Sequence, residues 1–266
     1  MAQTNSEATV STDALPEGQP RTYQPVKRWT EINWQPNDPA VLEYRKRELD
    51  AAYRPPCNDR VDYLVELARG KRVLDVGVVD HVVTATKRSD WLHGRIIEAA
   101  SYVLGVDIMD TGTRLLREEG YNVRRCDITR DDPGEGAFDL VLCGELIEHL
   151  GNPQALFAAA AKVLVPGGRL VITTPNPYYL GRTLRHLLSR DRESVDHTTL
   201  LFPSGIAEMA SRAGLKLESY RGALARPQGG KQRLLAGSFR LATTVIAREA
   251  ACGTLIYECV NPGSSR

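Results

Sequence analysis

Residues 73–81 read VLDVGVVDH. The first part, VLDVG, has the pattern of a buried strand that runs into a glycine turn, as at the start of nucleotide-binding α/β domains. Such a turn normally continues with more glycines, but here two valines, an aspartate and His81 follow Gly77. The stretch therefore predicts a nucleotide site after this strand, and it leaves open whether the loop is an altered working form or has lost its ligand.

Apolar runs and helical patterns alternate on both sides of this stretch, and glycines such as Gly167, after the third helical pattern, are expected to close the helices. This alternation predicts βαβ units and a parallel sheet that is buried on both faces. Apolar, strand-like runs lie at 72–77, 102–107, 122–127, 138–143 and 169–174. The helical patterns between them lie at about 90–100, 111–119 and 153–165.

The rest of the chain lies outside this alternation. Residues 1–20 are polar and aperiodic, which predicts a disordered tail. Residues 21–57 are predicted to form an N-terminal extension with a helix over about 39–52, and residues 58–266 the α/β domain. Within that domain the helical patterns of 176–213 are predicted to form a cap over the substrate. Late strands are expected at about 215–221 and 254–260, with a basic loop at 226–235 and a helix at 236–248 between them.

Composition limits the class of protein. The 266 residues are 42% hydrophobic and 25% charged, as in globular domains, and the net charge of +1 gives no electrostatic case for nucleic acid or an anionic membrane. The 5 cysteines form no CxxC pair, which favours a reducing compartment. The N-terminus lacks the layout of a signal peptide, and no apolar run could cross a membrane, so we expect a cytoplasmic protein.

The predicted strand ends carry acids where apolar residues would pack better. In an open parallel sheet, ligands bind at the carboxyl ends of the strands, near the point where the strand order reverses. An acid after the second strand, Asp107, can accept hydrogen bonds from both hydroxyls of a ribose. An acid after the third strand, Asp127, can accept from an adenine amine. Together these acids suit an adenosine, although either one could instead cap the helix that follows.

Five segments carry a family resemblance: VLDVG, GVDIMD (105–110), RCDIT (125–129), FDLVLCGELIEHL (138–150) and LVPGGRLVITTPNP (164–177). Together they resemble the class I S-adenosylmethionine-dependent methyltransferases, in the small-molecule group of ubiquinone-pathway and sugar methyltransferases. The resemblance covers about residues 58–222. It implies S-adenosylmethionine as the cofactor and a Rossmann-like, seven-stranded α/β sheet with an antiparallel last strand. The N-terminal helical extension and the helical cap insertion would be additions to that sheet.

The resemblance also implies roles for the strand-end residues. The methionine ammonium would lie near Asp75 and the Cys143 carbonyl, and the turn at Gly77 would let the backbone approach the cofactor. Gly144, beside Cys143 at the fourth strand end, is a further candidate for cofactor binding. The remaining contacts would be those of the ribose hydroxyls with Asp107 and of the adenine with Ile108, Asp127 and Ile128.

The loop after the first strand departs from this family. Where its GxGxG pattern has further glycines, this chain has Val79 and His81. S-adenosylmethionine has no pyrophosphate, so it does not need a complete anion-cradling loop. We therefore expect an altered loop that still binds cofactor, with Val79 beside it and His81 a candidate contact for the carboxylate end of the methionine.

Two histidines are candidates for a general base. His149 follows the fourth strand, and His197 lies in the predicted cap; histidine is the side chain that exchanges a proton most readily near neutral pH. Each could instead be a structural histidine. No group of residues has the sequence spacing of metal ligands, so we expect no metal.

The predicted activity is methyl transfer to a small metabolite, with O-methylation of a sugar or natural-product hydroxyl favoured. N- or C-methylation is the alternative within the same enzyme class. A non-catalytic binding protein with a degenerate loop, and a nucleic-acid methyltransferase, are the alternatives outside it. Neutral charge and the lack of an added basic module argue against the last. The sequence leaves open a homodimer.

Overall fold

The computed structural model describes residues 28–79, 91–134, 137–189, 194–224 and 248–263. The tail predicted at 1–20, His81, and the loop and helix predicted at 226–235 and 236–248 lie outside these residues, apart from Arg248. None of the described helices combines the length and the apolar character that crossing a bilayer requires.

A seven-stranded sheet forms the centre of the molecule, in the order β3-β2-β1-β4-β5-β7-β6. Pairing is parallel from β3 through β5, and β7 runs antiparallel to both β5 and β6, as the resemblance implied. The order reverses between β1 and β4, so a crevice is expected above those two strands. The strands are β1 (Arg72–Val76), β2 (Tyr102–Asp107), β3 (Val123–Arg125), β4 (Phe138–Gly144), β5 (Leu164–Pro175), β6 (Lys216–Ala223) and β7 (Thr254–Val260).

Seven described helices accompany the sheet, and several begin at the residues that cap them best. The Asp38 side chain accepts the Ala40 N–H at the start of α1, and Asp59 accepts the Asp62 N–H at the start of α2. The helices are α1 (Pro39–Ala52), α2 (Arg60–Ala68), α3 (Leu92–Ala99), α4 (Asp110–Glu118), α5 (Pro153–Val163), α6 (Leu180–Ser189) and α7 (Pro203–Arg212).

The two faces of the sheet carry separate apolar clusters. Leu74 and Val76 of β1 belong to the cluster built with α5 and α7, whereas Val73 belongs to the one built with α2 and α3. Because side chains alternate along a strand, Asp75 lies on the face of Val73. The motif acid therefore points towards α3, which determines its partner. Helix α7 packs in the main core, and the substrate cap predicted at 176–213 stays a prediction.

The N-terminal extension covers the exposed edge of β6. Backbone bonds join Arg54 N–H to the Tyr220 carbonyl at 2.9 Å and Cys57 N–H to the Gly222 carbonyl at 3.0 Å. Helix α1 is anchored by Arg45, whose guanidinium lies 3.1 Å from Glu208 on α7. An unpaired edge strand invites association with other chains, so the extension protects the sheet.

One predicted boundary is wrong. The helix predicted over 153–165 ends at Val163, and β5 begins at Leu164 rather than at 169. Gly167, which we expected to close that helix, lies within β5 at φ +81°, and its N–H bonds the Asn261 carbonyl at 2.7 Å. The first pair of β5 with β4 is followed by a register shift, so a bulge around this glycine replaces the expected helix end.

Val79 fits beside the sheet because its neighbour on α4 is a glycine. A methyl group placed on Gly112 would overlap Cγ1 of Val79 and approach Cγ2 to 2.9 Å. The valine that replaces a family glycine in the loop is thus matched by a glycine in the helix. This pairing supports an altered loop rather than a damaged one.

We predict that Gly112→Ala destabilises the protein by about 1–2 kcal/mol, because overpacking outweighs the higher helix propensity of alanine. Urea unfolding measures the change. The double variant Gly112→Ala/Val79→Ala should recover most of the loss, since the shorter side chain removes the overlap. A Gly112→Ala variant that is more stable than the native chain would contradict this packing.

Candidate functional site

The turn after β1 needs a glycine at one position. Gly77 adopts φ +82°, and its N–H continues the ladder to the Val106 carbonyl at 2.8 Å. A Cβ at Gly77 would lie 2.9 Å from Cδ2 of Leu146, which comes from the loop after β4. The backbone of the β1 turn is therefore packed closely against the Leu146 side chain, at the point where the strand order reverses.

Asp107 ties together the loops after β1 and β2. Its Oδ2 accepts the Val79 N–H at 3.0 Å, and its Oδ1 accepts the Met109 N–H at 2.9 Å. The residue is 9% exposed, whereas the neighbouring Ile108 is 61% exposed. Each carboxylate oxygen has two lone pairs, so both can also accept a ribose hydroxyl. An acid at the edge of the crevice beside an exposed apolar surface fits an adenosine.

Asp127 is engaged in a local turn after β3. Its Oδ1 accepts the Thr129 hydroxyl at 2.6 Å and the Thr129 N–H at 2.9 Å, and these bonds lower the pKa of the carboxyl group. Ile128 is buried in the main core. Asp127 therefore forms a local turn and does not cap a helix, and contacts of Asp127 and Ile128 with adenine stay predictions.

Asp75 pairs with a histidine. Its Oδ2 lies 2.8 Å from Nδ1 of His93 on α3, and both side chains are buried. The sequence analysis missed this pair. The sequence feature that could have revealed the pair is a polar residue in the apolar stretch WLHGRII, on the helix that packs beside β1 and β2.

Cys143 and Gly144 end β4 beside the β1 turn. Cys143 is buried, and burial raises the pKa of its thiol far above the ordinary value, so the group stays neutral. Nearby, Arg60 donates to the Thr173 hydroxyl at 3.1 Å and lies 3.5 Å from Oε1 of Glu145. Arg60 brings a positive charge to this edge of the sheet, and nothing in its sequence context predicted that.

The structure brings the two candidate bases together. The rings of His149 and His197 lie 4.8 Å apart in an edge-to-face arrangement. Nδ1 of His149 is 3.2 Å from Oδ2 of Asp196, and Thr198 N–H bonds the Glu148 carbonyl at 2.8 Å. The segment after α6 is therefore fixed to the loop after β4, and the two histidines share one surface.

Glu148 is a buried acid that sequence reasoning missed. It is 1% exposed, and its Oε2 accepts the Thr174 hydroxyl at 3.0 Å. Burial, reinforced by repulsion from Glu145, raises the pKa of Glu148 to about 7. The only sequence feature that pointed to Glu148 was a charged residue within the apolar run LIEHL. With this pKa, its carboxyl group can gain or lose a proton near neutral pH.

Three of these side chains could also share an ion. Ligand atoms of Glu148, His149 and His197 all lie within 4.8 Å of one another. Sequence spacing did not reveal this cluster, because His197 joins it from a distant segment. The expectation that the protein uses no metal therefore stays a prediction.

The chain is similar in sequence to a family of known proteins. A family model described as "Methyltransferase domain" matches residues 42–220, which include β1 to β5 and the strand ends described above. The ubiquinone biosynthesis O-methyltransferase of Thiobacillus denitrificans is 29% identical over 182 residues, covering 63% of this chain and 73% of the relative. The enzyme of the same name from Xanthomonas euvesicatoria is 28% identical over 193 residues, covering 69% and 78%.

Solved structures share the fold at low identity. A SAM-dependent methyltransferase from Archaeoglobus fulgidus superimposes with a TM-score of 0.53 at 16% identity, covering 76% of this chain and 91% of that one. A Haloferax volcanii methyltransferase in complex with the Trm112 activator gives 0.55 at 14% identity, covering 85% and 95%. At these identities the likeness shows the fold alone.

We predict that Glu148→Gln changes how stability depends on pH. Because the pKa of Glu148 is raised to about 7, the folded state binds more protons than the unfolded chain between about pH 4.5 and 7. The free energy of unfolding of the native chain therefore loses up to about 3 kcal/mol from this group as the pH rises through that range.

The glutamine variant lacks this loss, so its stability relative to the native chain should increase with pH. Urea unfolding at several pH values measures it. Glu66→Gln, at an exposed acid on α2, is the matched control and should run parallel to the native chain. A Glu148→Gln curve that also runs parallel would show that the carboxyl is not buried.

Proposed function

We propose how this chain selects and activates its acceptor. It belongs to the methyltransferase domain family and is a class I S-adenosylmethionine-dependent methyltransferase. S-adenosylmethionine supplies a methyl group that its sulfonium already activates. The acceptor is a hydroxyl oxygen of a small metabolite, such as a sugar or a natural product. Because the methyl group is activated, the protein mainly aligns the two reactants, excludes water and removes one proton.

The cofactor half of the site lies above β1, β2 and β4. Asp107 holds the ribose hydroxyls through its remaining lone pairs, and Ile108 offers an exposed apolar face to the adenine. Asp75 and the Cys143 carbonyl face the methionine ammonium. These assignments are supported by adjacent strand ends and by an acid that is already oriented by two backbone N–H groups.

The acceptor half is built from the loop after β4 and the segment before α7. His149 directs Nδ1 towards Asp196 at 3.2 Å, and an imidazole that donates there carries its basic lone pair on Nε2. A hydroxyl placed against this histidine would transfer its proton to the ring, and its oxygen would take the methyl group as the methyl–sulfur bond breaks and sulfur keeps the electron pair. His197, edge-to-face with His149, either packs that ring in place or accepts the proton itself.

The observation that carries this proposal is the His149–His197 pair, held beside the β4 strand end by the Thr198–Glu148 bond. A base is needed to deprotonate oxygen, and it is not needed for an amine that arrives neutral. The curated relatives named as O-methyltransferases support oxygen as the acceptor atom. N- or C-methylation remains the alternative.

A non-catalytic binding protein is the competing class, because Val79 replaces a loop glycine. The match between Val79 and Gly112 argues for a working loop. Methyl-labelled S-adenosylmethionine incubated with panels of sugars, phenols, amines and bulk RNA separates the classes. Labelled product from the hydroxyl panels alone supports the proposal. Product from amines or RNA alone overturns the acceptor class, and no cofactor binding at millimolar concentration overturns the activity.

We predict that Asp107→Ala weakens S-adenosylmethionine binding by about 2–3 kcal/mol, because charge-assisted bonds to two hydroxyls are lost. Calorimetry measures the affinity, and circular dichroism checks the fold, since the acid also orders two loops. Asp110→Ala removes an exposed charge close by and should leave the affinity unchanged. Equal affinities in both variants would mean that the ribose lies elsewhere.

We predict that His149→Ala lowers kcat by about 10²–10⁴-fold while cofactor affinity stays near that of the native chain, because a general base acts in the chemical step. Steady-state kinetics on the acceptor found in the panel measures it, with His197→Ala tested alongside. His186→Ala, at an exposed histidine on α6, is the control. Near-native turnover in both single variants and in their double variant would exclude a histidine base.

A further inference from the structure

We infer that the segment Trp91–Gly94 holds the start of the β1 loop, which lacks the further glycines of the family pattern, and that His93 is a positioning residue for Asp75. The segment lies at the start of α3 and contacts β1, the loop after β1, β2 and β4. The inference rests on the proposed cofactor role of Asp75. The contacts of this segment would keep a glycine-poor site in working geometry.

Trp91 fixes the path of the loop. Its indole N–H points at the Val78 carbonyl with a separation of 3.4 Å, and both residues are buried in one cluster with Leu116. The ring also packs edge-to-face on Tyr121 at 5.1 Å between centroids. The loop backbone directly after Gly77 is therefore anchored by a rigid aromatic side chain.

His93 fixes the acid of the same strand. The Nδ1···Oδ2 distance of 2.8 Å joins two side chains that are 1% and 5% exposed. Nε2 of His93 has no hydrogen-bond partner among the described residues. A proton on Nε2 would be a buried donor without an acceptor, which costs more than a buried lone pair on a neutral ring. The neutral Nδ1–H tautomer, donating to an ionised Asp75, is thus the stable arrangement.

Glycines on two neighbouring elements make room for the segment. A Cβ on Gly105 of β2 would lie 2.8 Å from Cε1 of His93, and a Cβ on Gly94 would lie 2.8 Å from Cε3 of Trp91. Leu92 meets the β4 end, 3.1 Å from where a Cβ of Gly144 would be. The segment could not occupy this position if any of these glycines carried a bulky side chain.

The pair has a consequence for the cofactor. A hydrogen bond donated to a carboxylate stabilises its ionised form and holds its oxygens in place. With His93 donating, the Asp75 carboxylate is oriented beside the place proposed for the methionine ammonium. The imidazole therefore acts on the cofactor through Asp75 and does not touch it.

Binding measurements test this role. His93→Leu removes the donor and should weaken S-adenosylmethionine binding by at least about tenfold, the usual effect of losing a hydrogen bond to a charged group. His93→Asn, whose amide can donate from nearly the position of Nδ1, should stay within about threefold of the native affinity. Ile96→Val is the control on the same buried face of α3; it should lower the melting temperature and leave the affinity unchanged.

Native affinity in His93→Leu, or equal losses in the leucine and asparagine variants, would overturn the positioning role. A second measurement does not depend on cofactor. Nitrogen-detected NMR at neutral pH, assigned by the His93→Leu spectrum, should show His93 neutral with its proton on Nδ1. A proton on Nε2 would overturn the inference. If the native chain binds no cofactor while this tautomer is found, the proposed function fails and the Asp75–His93 pair stands.

Discussion

The carboxylate of Asp107 is the constraint on which the site depends. Its two oxygens accept backbone N–H groups from the loop after β1 and from the loop after β2, at 3.0 and 2.9 Å. Parallel strands bring their carboxyl ends to one edge, but they do not by themselves fix the loops that follow. This one acid does so next to the reversal in strand order, and it remains able to accept further bonds. A loop with a valine in place of a glycine keeps its shape through that bond and through the space left at Gly112.

The two halves of the site depend on different kinds of interaction. Backbone hydrogen bonds and close glycine contacts build the cofactor half, where geometry must be fixed. Buried and partly buried ionisable groups build the acceptor half, where a proton must move. Glu148 links the two, because its side chain bonds Thr174 at the end of β5 while its carbonyl accepts the Thr198 N–H. The segment that carries His197 is therefore held against the strand ends at which we propose that the cofactor binds.

The sequence was sufficient for features that depend on local pattern. Alternating apolar runs predicted the parallel sheet, whereas the nucleotide-binding role of the acids after the second and third strands stays a prediction. What it missed depends on contacts between distant segments. The proximity of His149 and His197 and the burial of Glu148 follow from how the segment before α7 folds back. The Asp75–His93 pair requires knowing which face of β1 meets α3. The early start of β5 reflects a bulge at Gly167, where a glycine after a helical pattern usually marks the helix end.

A crystal structure with bound S-adenosylhomocysteine would test the central claim most directly, namely that the altered β1 loop forms a working cofactor site. We predict that the ribose hydroxyls lie within hydrogen-bond distance of the Asp107 carboxylate, with the adenine on Ile108 and Val79 in its present contact with α4. A nucleoside bound away from the ends of β1 and β2, or crystals that take up none at millimolar concentration, would contradict the account.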